Sequence, residues 1–229
     1  MKDCASKLSS AYSLKFNFSK NIMITSSPNS DSDKLGAVTT HFINLLYLVS
    51  ALCKEGVDFM GSRFKDDVWP ILAMTLRNQL KWLSLQQKDN RTINRHILPS
   101  VADKTRNKST EAVLKCLSQS ISVSEFGVCI ADLFVAIGTA ALPFFSDDGE
   151  VGDAAVLLVK SILRIDCDCL WGKLCTLAGR PLSPLSIHIP NAVPAQSDYS
   201  MNIKNSNLVS RRANEMVLFI EELDEQILR

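Results

Sequence analysis

The residues of this chain that could do chemistry are its thiols, its histidines and a few carboxylates. Cys167, Cys169 and Cys175 stand close together in sequence, and three thiolates invite zinc. Their spacing is Cys-x-Cys with one further Cys, without paired Cys-x-x-Cys knuckles or a fourth ligand nearby, so the expectation is buried thiols packed as small hydrophobes. The three histidines, His41, His96 and His188, lie far apart. His41 has no second His or carboxylate at ligand spacing, so it reads as a packed or half-exposed residue on an apolar helix. Asp66, Asp67 and Asp132 are carboxylates whose placement decides between chemistry and scaffolding: a cleft shared with the cysteines would favour an enzyme, dispersion would not. No Gly-rich phosphate loop, nucleophile elbow or His-based constellation is present. The sequence therefore assigns no catalytic, metal or cofactor residue, and a chain without enzymatic activity or cofactor is expected.

Composition points the same way. The 229 residues carry 25 Lys and Arg against 24 Asp and Glu, a balance with no global field toward nucleic acid or an anionic membrane. Neither is expected as a partner. Seven cysteines without framework spacing, in a chain that shows no secretory signal, argue for reduced thiols in cytoplasm or nucleus. In that setting the glycosylation-type triplets at Asn17, Asn90 and Asn107 mean nothing.

The elements that must position these residues are helices. From Ala37 to Lys54 the chain is almost continuously apolar, with His41, Leu45, Leu48 and Leu52 on one face and Phe42, Leu46 and Val49 on the next, and Gly56 closes it. From Val57 to Leu80, Val57, Met60, Phe64, Val68 and Ile71 recur at steps of three and four. Pro70 must kink or restart that helix, after which Leu72, Leu76 and Leu80 continue the stripe. The pair reads as a helical hairpin offering apolar seams on two sides, the unit of a stacked array. Residues 81–108 carry Lys81, Lys88, Arg91, Arg95, Lys104, Arg106 and Lys108 with weak periodicity and read as a long basic loop. Ser109 reads as the cap of a helix with Val113, Cys116, Leu117 and Ile121 on its stripe. A second helix is expected from about Glu125 to Leu142, with Phe126, Ile130, Leu133, Ile137 and Ala141 inside. Phe126 to Phe145 is long enough to span a bilayer, but Asp132 at its centre, Gly127, Gly138 and Pro143 favour burial between helices.

Asp147, Asp148, Gly149 and Glu150 form a cap and turn before a helix that buries Val151, Ala155, Leu158, Ile162 and Ile165. Asp166 caps another, with Leu170, Leu174 and Leu177 on its apolar side. The domain plan is an irregular leader over 1–34, HEAT-like helical repeats over 35–178, a Pro/Ser-rich linker over 179–207 and an amphipathic helix over 208–229. In that last helix Val209, Ala213, Met216, Ile220, Leu223 and Ile227 give the cleanest helical period in the chain, expected to cap the open end of the array or to enter a partner's groove. The fold class expected is all-α, a HEAT/armadillo-like α-solenoid of stacked helical hairpins.

Two stretches resemble a known family. The run Asp58 to Leu72, with Asp58, Phe59, Arg63, Phe64, Asp67, Val68 and Pro70, resembles a helix in the C-terminal half of the Tti-one (Tel-two-interacting protein one) subunits of the Triple T (TTT) complex, which are HEAT-repeat scaffolds. Asp153 to Leu174, with Asp166, Asp168 and Trp171, resembles that family's apolar helix, Ile-Asp-Pro-Asp turn and Trp-containing helix. Cys167 departs from it by standing where the family tends to carry proline. Together the matches span about half of the chain, which is several-fold shorter than the family's full subunit and is expected to be a fragment. The resemblance implies a non-enzymatic scaffold in a co-chaperone complex. Its implied partners are Tel-two-like and Tti-two-like subunits, kinases of the phosphatidylinositol 3-kinase-related class (TOR and DNA-damage kinases) and heat-shock-ninety co-chaperones. The alternative is an armadillo or HEAT adaptor of another pathway, such as an importin-like transport factor, although Trp69, Trp82 and Trp171 do not recur at a repeat period.

Overall fold

The computed structural model describes the backbone of residues 28–92, 101–180 and 203–227 and the side chains of 36–84, 103–180 and 207–226. All of the regular structure in these residues is helical. Helix α1 is Pro28–Glu55, α2 is Val57–Arg63 and α3 is Trp69–Thr92, with a π-helical turn Phe64–Val68 joining α2 to α3. Helix α4 is Val101–Ile121, α5 is Ser124–Cys129, and α6 is Phe134–Ala141, preceded and followed by 3-10 turns at Ala131–Leu133 and Leu142–Ser146. Helices α7 (Glu150–Leu163), α8 (Trp171–Ala178) and α9 (Ile203–Ile227) complete the chain.

Two layers follow from which helices touch. In one, α1 packs on α4 and α4 on α7; in the other, α2 packs on α5 and α3 on α6. Between the layers run Phe42, Leu46, Val49, Met60, Phe64, Leu72, Leu76, Leu114, Leu117, Phe126, Phe134, Leu158 and Ile162, all buried. Phe64 and Phe126 meet edge to face, with centroids 5.3 Å apart and rings at 81°. Helix α9 lies along α8 and the turn Leu142–Ser146, and buries Val209, Ala213, Met216, Val217 and Ile220 there.

Several sequence expectations are corrected. The segment 81–108 is not a long loop: α3 runs on through Thr92 and α4 begins at Val101, which leaves only 93–100 outside the described residues. Its weak period has a physical cause, because the two helices are joined there by polar and aromatic contacts. Trp82 Nε1 donates to Asp103 Oδ1 at 3.1 Å, the Arg106 guanidinium stacks 4.0 Å from the Trp82 ring, and Gln79 Nε2 donates to Asn107 Oδ1 at 3.1 Å. Ser109 is therefore not a cap; it sits inside α4, where its hydroxyl donates to the Thr105 carbonyl at 2.9 Å.

The helix expected from Glu125 to Leu142 breaks at Ile130, where φ is −113° and a 3-10 turn intervenes. In the short helix before the break, Gly127 is pressed against the Ile165 side chain and the Ile121 carbonyl, where any Cβ would overlap both. Helix α1 begins at Pro28, so the leader is shorter than 34 residues; a proline in the first helical position loses no needed hydrogen bond. Helix α9 begins at Ile203 rather than 208, and most of the expected linker, 181–202, lies outside the described residues, as does 1–27 of the leader.

At Pro70 the helix restarts without a gap: α2 stops at Arg63, the π turn spans Phe64–Val68, and α3 begins at Trp69 with the proline in its first turn. The π turn ends at Val68, two residues before Pro70, with the Trp69 N–H bonded to the Phe64 carbonyl five residues back. The wider turn makes room where the proline ring would meet the carbonyl of Asp66. It also offsets the drift of a four-residue repeat, so Phe64, Val68, Leu72 and Leu76 all stay buried.

Among the described residues one helical stretch, Gly36–Glu55, is long and apolar enough to cross a membrane by length and composition, and a third of its apolar window is buried against other helices. The run Phe126 to Phe145 is broken as described and does not meet that test.

Candidate interaction surfaces

The family-like residues of the first motif divide between core and surface. Phe64 and Val68 are buried, Asp58, Phe59 and Pro70 are exposed, and Arg63 and Asp67 are half-buried. Arg63 donates to Asp67 Oδ2 at 3.4 Å, one turn on, and its guanidinium lies 5.8 Å from the Phe59 ring centre. These are solvent-screened contacts that orient the outer side of α2 more than they stabilise it. Lys65 reaches across to Asp132 Oδ1 at 2.8 Å and ties the π turn to the break between α5 and α6. Nearby, Gly61 lets α2 approach α5 so closely that an added Cβ would touch Cys129 Cβ at 3.4 Å. Along this second layer Phe59, Met74, Val128 and Val135 are large apolar residues left exposed, one on each of α2, α3, α5 and α6.

The second motif is a turn rather than a helix start. Asp166 Oδ1 accepts the Cys169 N–H at 3.1 Å, but α8 begins only at Trp171, whose N–H bonds to the Asp168 carbonyl at 3.1 Å. Asp166 thus closes the turn before the helix rather than capping the helix itself, and Cys167 lies inside that turn. Asp168 is exposed, while Trp171 is half-buried against the core. Leu170 presses on Gly138 of α6, where no Cβ would fit, and Lys173 donates to Thr139 Oγ1.

The C-terminal helix is seated by charge as well as by its apolar stripe. Arg212 is buried, and its guanidinium donates to the Phe145 carbonyl at 3.3 Å, to the Asp147 carbonyl, and to Asp153 Oδ1 at 2.7 Å. Gly152 stands beneath it, and a side chain there would overlap both the guanidinium and the Asp147 carbonyl. Arg180 donates to Asn214 Oδ1 at 2.7 Å and to Glu221 Oε1 at 2.8 Å. Of the residues expected to cap or to reach a partner, Met216 and Ile220 are buried, Leu223 is half-buried, and the Ile227 side chain lies outside the described residues. No sequence period pointed to Arg212, because it sits among the polar residues of α9 and its partners are backbone carbonyls.

Among the described residues the thiols lie at separate places in the fold. Cys53 and Cys116 lie buried where α1 meets α4, and desolvation pushes each thiol up to about 12. Cys169 is likewise raised to about 12 by burial and then by Asp166, while Cys175 is buried on α8 and Cys129 is exposed on α5. Cys167 points to Asp224 Oδ1 at 3.9 Å. Asp66 is exposed, Asp67 pairs with Arg63 and Asp132 with Lys65. Among the described residues no group of three or more His, Cys, Asp and Glu is arranged to hold a metal. No family model, curated protein or solved structure matches this chain.

Proposed function

We propose that this chain is a short HEAT-like α-solenoid serving as a non-enzymatic scaffold subunit of a Triple T-like co-chaperone complex, which supports the maturation and stability of phosphatidylinositol 3-kinase-related kinases. The observation that carries the scaffold reading is the order of helix contacts. First helices α1, α4 and α7 touch in sequence, second helices α2 with α5 and α3 with α6 do the same, and α9 covers the far side of α8. Contacts between neighbouring hairpins are how a solenoid is built, and such arrays work by presenting long surfaces. The exposed Phe59, Met74, Val128 and Val135 on the second layer are the side chains we assign to partner contact. The dispersion of thiols and carboxylates supports a binding role over an enzyme. The kinase-directed assignment rests on the resemblance of Asp58 to Leu72 and of Asp153 to Leu174.

Affinity purification of the tagged chain from its own cells, with partners identified by mass spectrometry, tests the reading. Recovery of Tel-two-like or Tti-two-like subunits, kinases of this class or heat-shock-ninety co-chaperones is expected, and Phe59→Asp combined with Val128→Asp is expected to abolish it while leaving the helical circular dichroism unchanged. Recovery of none of them from a soluble, helical product would overturn the assignment. Recovery of transport cargo instead would favour the importin-like adaptor.

A further inference from the structure

An open groove runs between α1 and α4, on the layer opposite the exposed Phe59, Met74, Val128 and Val135. It has a volume of about 220 Å³, lined by Ile43, Leu46 and Tyr47 of α1 and by Lys108, Ala112 and Cys116 of α4, among others. That is room for one large side chain and too little for the usual small-molecule pocket of about 300 Å³ or more. Its floor is aliphatic and held in place, with the Cys116 thiol donating to the Leu46 carbonyl at 3.4 Å. Tyr47 forms a wall and is 62% exposed.

Most of the charge at the groove comes from α4. Helix α1 has no formally charged residue from Gly36 through Cys53, and the one carboxylate acting from another element is Glu150 at the start of α7, which faces Lys115 among the described residues. On α4, Lys115 and Glu111 neutralise each other at 2.5 Å. Lys104 and Lys108, one turn apart and both exposed, have no carboxylate within ion-pair distance among the described residues. An apolar socket with Lys108 on its wall and Lys104 one helical turn beyond it selects for the opposite arrangement in what it binds. We propose that the groove docks an acidic linear segment of a partner protein, with one large apolar side chain in the socket and flanking carboxylates facing Lys104 and Lys108. Two lysines would also attract phosphates. However, a single aromatic wall offers no succession of stacking platforms for bases. The proposal is independent of the Triple T assignment and stands or falls without it.

The test is fluorescence anisotropy on the full chain with fluorescein-labelled twelve-residue peptides, each carrying one Leu, Phe or Trp flanked by Asp and Glu. Controls are the same peptides with Lys in place of the acids, the acidic peptides with Ala in place of the anchor, and a twelve-nucleotide oligouridine. At least one acidic, anchored peptide is expected to bind, about tenfold more tightly than its Ala-anchored and charge-reversed counterparts, as one buried large side chain allows. Lys108→Glu and Tyr47→Ala are each expected to weaken it about fivefold or more, whereas Lys81→Glu on α3, an exposed lysine outside the groove, leaves it unchanged. Both groove substitutions are at exposed positions, and circular dichroism checks that they fold. Equal loss in Lys108→Glu and Lys81→Glu, comparable binding of the charge-reversed set, tighter binding of oligouridine, or no binding of any anchored acidic peptide at 0.5 mM protein, a concentration on the order of the weakest specific affinities, would each overturn the proposal.

Discussion

Arg212 and Gly152 act as one unit. The Asp153 carboxylate that Arg212 meets is 72% exposed, so solvent screens that pair, and the contacts that matter are those to the Phe145 and Asp147 carbonyls. Arg212→Met keeps the volume and removes the donors, and is expected to cost about 2 kcal/mol in urea unfolding, the penalty for leaving buried carbonyls unpaired. Gly152→Ala is expected to cost about 1–3 kcal/mol by forcing the guanidinium and the Asp147 carbonyl apart. Because the added methyl overlaps Arg212 itself, the double variant should lose less than the sum of the two, which a double-mutant cycle measures directly. Additive losses would mean that the two residues do not share a site. The buried thiols give a pH prediction of definite sign. Cys53 and Cys116 are raised from 9.0 to about 12 by burial, so below pH 9 both folded and unfolded chains hold these protons. Between pH 9 and 12 only the unfolded chain releases them, and stability falls, by about 1 kcal/mol per thiol at pH 10. Unfolding midpoints at pH 8 and pH 10 should therefore diverge more in the native chain than in a Cys53→Ala, Cys116→Ala variant.

At the scale of single helices, the π turn Phe64–Val68 explains how a proline sits within a continuous helical segment. A π turn is an α-helix with one residue inserted. Deleting the exposed Asp66 is expected to restore α-helical geometry and to bring Pro70 against a carbonyl, at a cost of about 3 kcal/mol. Combining the deletion with Pro70→Ala should recover most of that loss, and thermal unfolding of the two variants reads the difference. No recovery would show that the π turn serves packing against α5 rather than accommodation of the proline. Most helices were legible because their apolar residues repeat at three and four: Val113, Cys116, Leu117 and Ile121 are buried as the period of α4 requires, and Phe42, Leu46 and Val49 as that of α1 requires. The ends were less legible. The start of α4 and the end of α3 are held by Trp82, Asp103, Arg106, Gln79 and Asn107, residues that a hydrophobic period does not count.

In the whole molecule the helices between two neighbours are the ones held on both sides. Amide hydrogen exchange should be slowest in α4, which packs on α1, α3 and α7, and faster in the outer turns of α9 beyond Ile220, where most of the residues are exposed. A chain ending before Ile203 would uncover the faces of α8 and of the turn Leu142–Ser146 that α9 covers. It is expected to bind an apolar dye such as ANS strongly, where the intact chain binds little. Equal dye binding would mean that α9 does not close this end of the array. By itself the sequence determined the all-α class, the apolar stripe of nearly every helix and the amphipathic character of the last one, because helical periodicity is local and each side chain's burial follows from its place on its own helix. Only the tertiary structure decided which faces meet, where the Glu125 to Leu142 stretch breaks, and that Arg212 and Gly152 seat α9. Those outcomes depend on carbonyls and side chains far away in sequence, such as Ile165 against Gly127 and Asp147 against Arg212, and no local pattern encodes them.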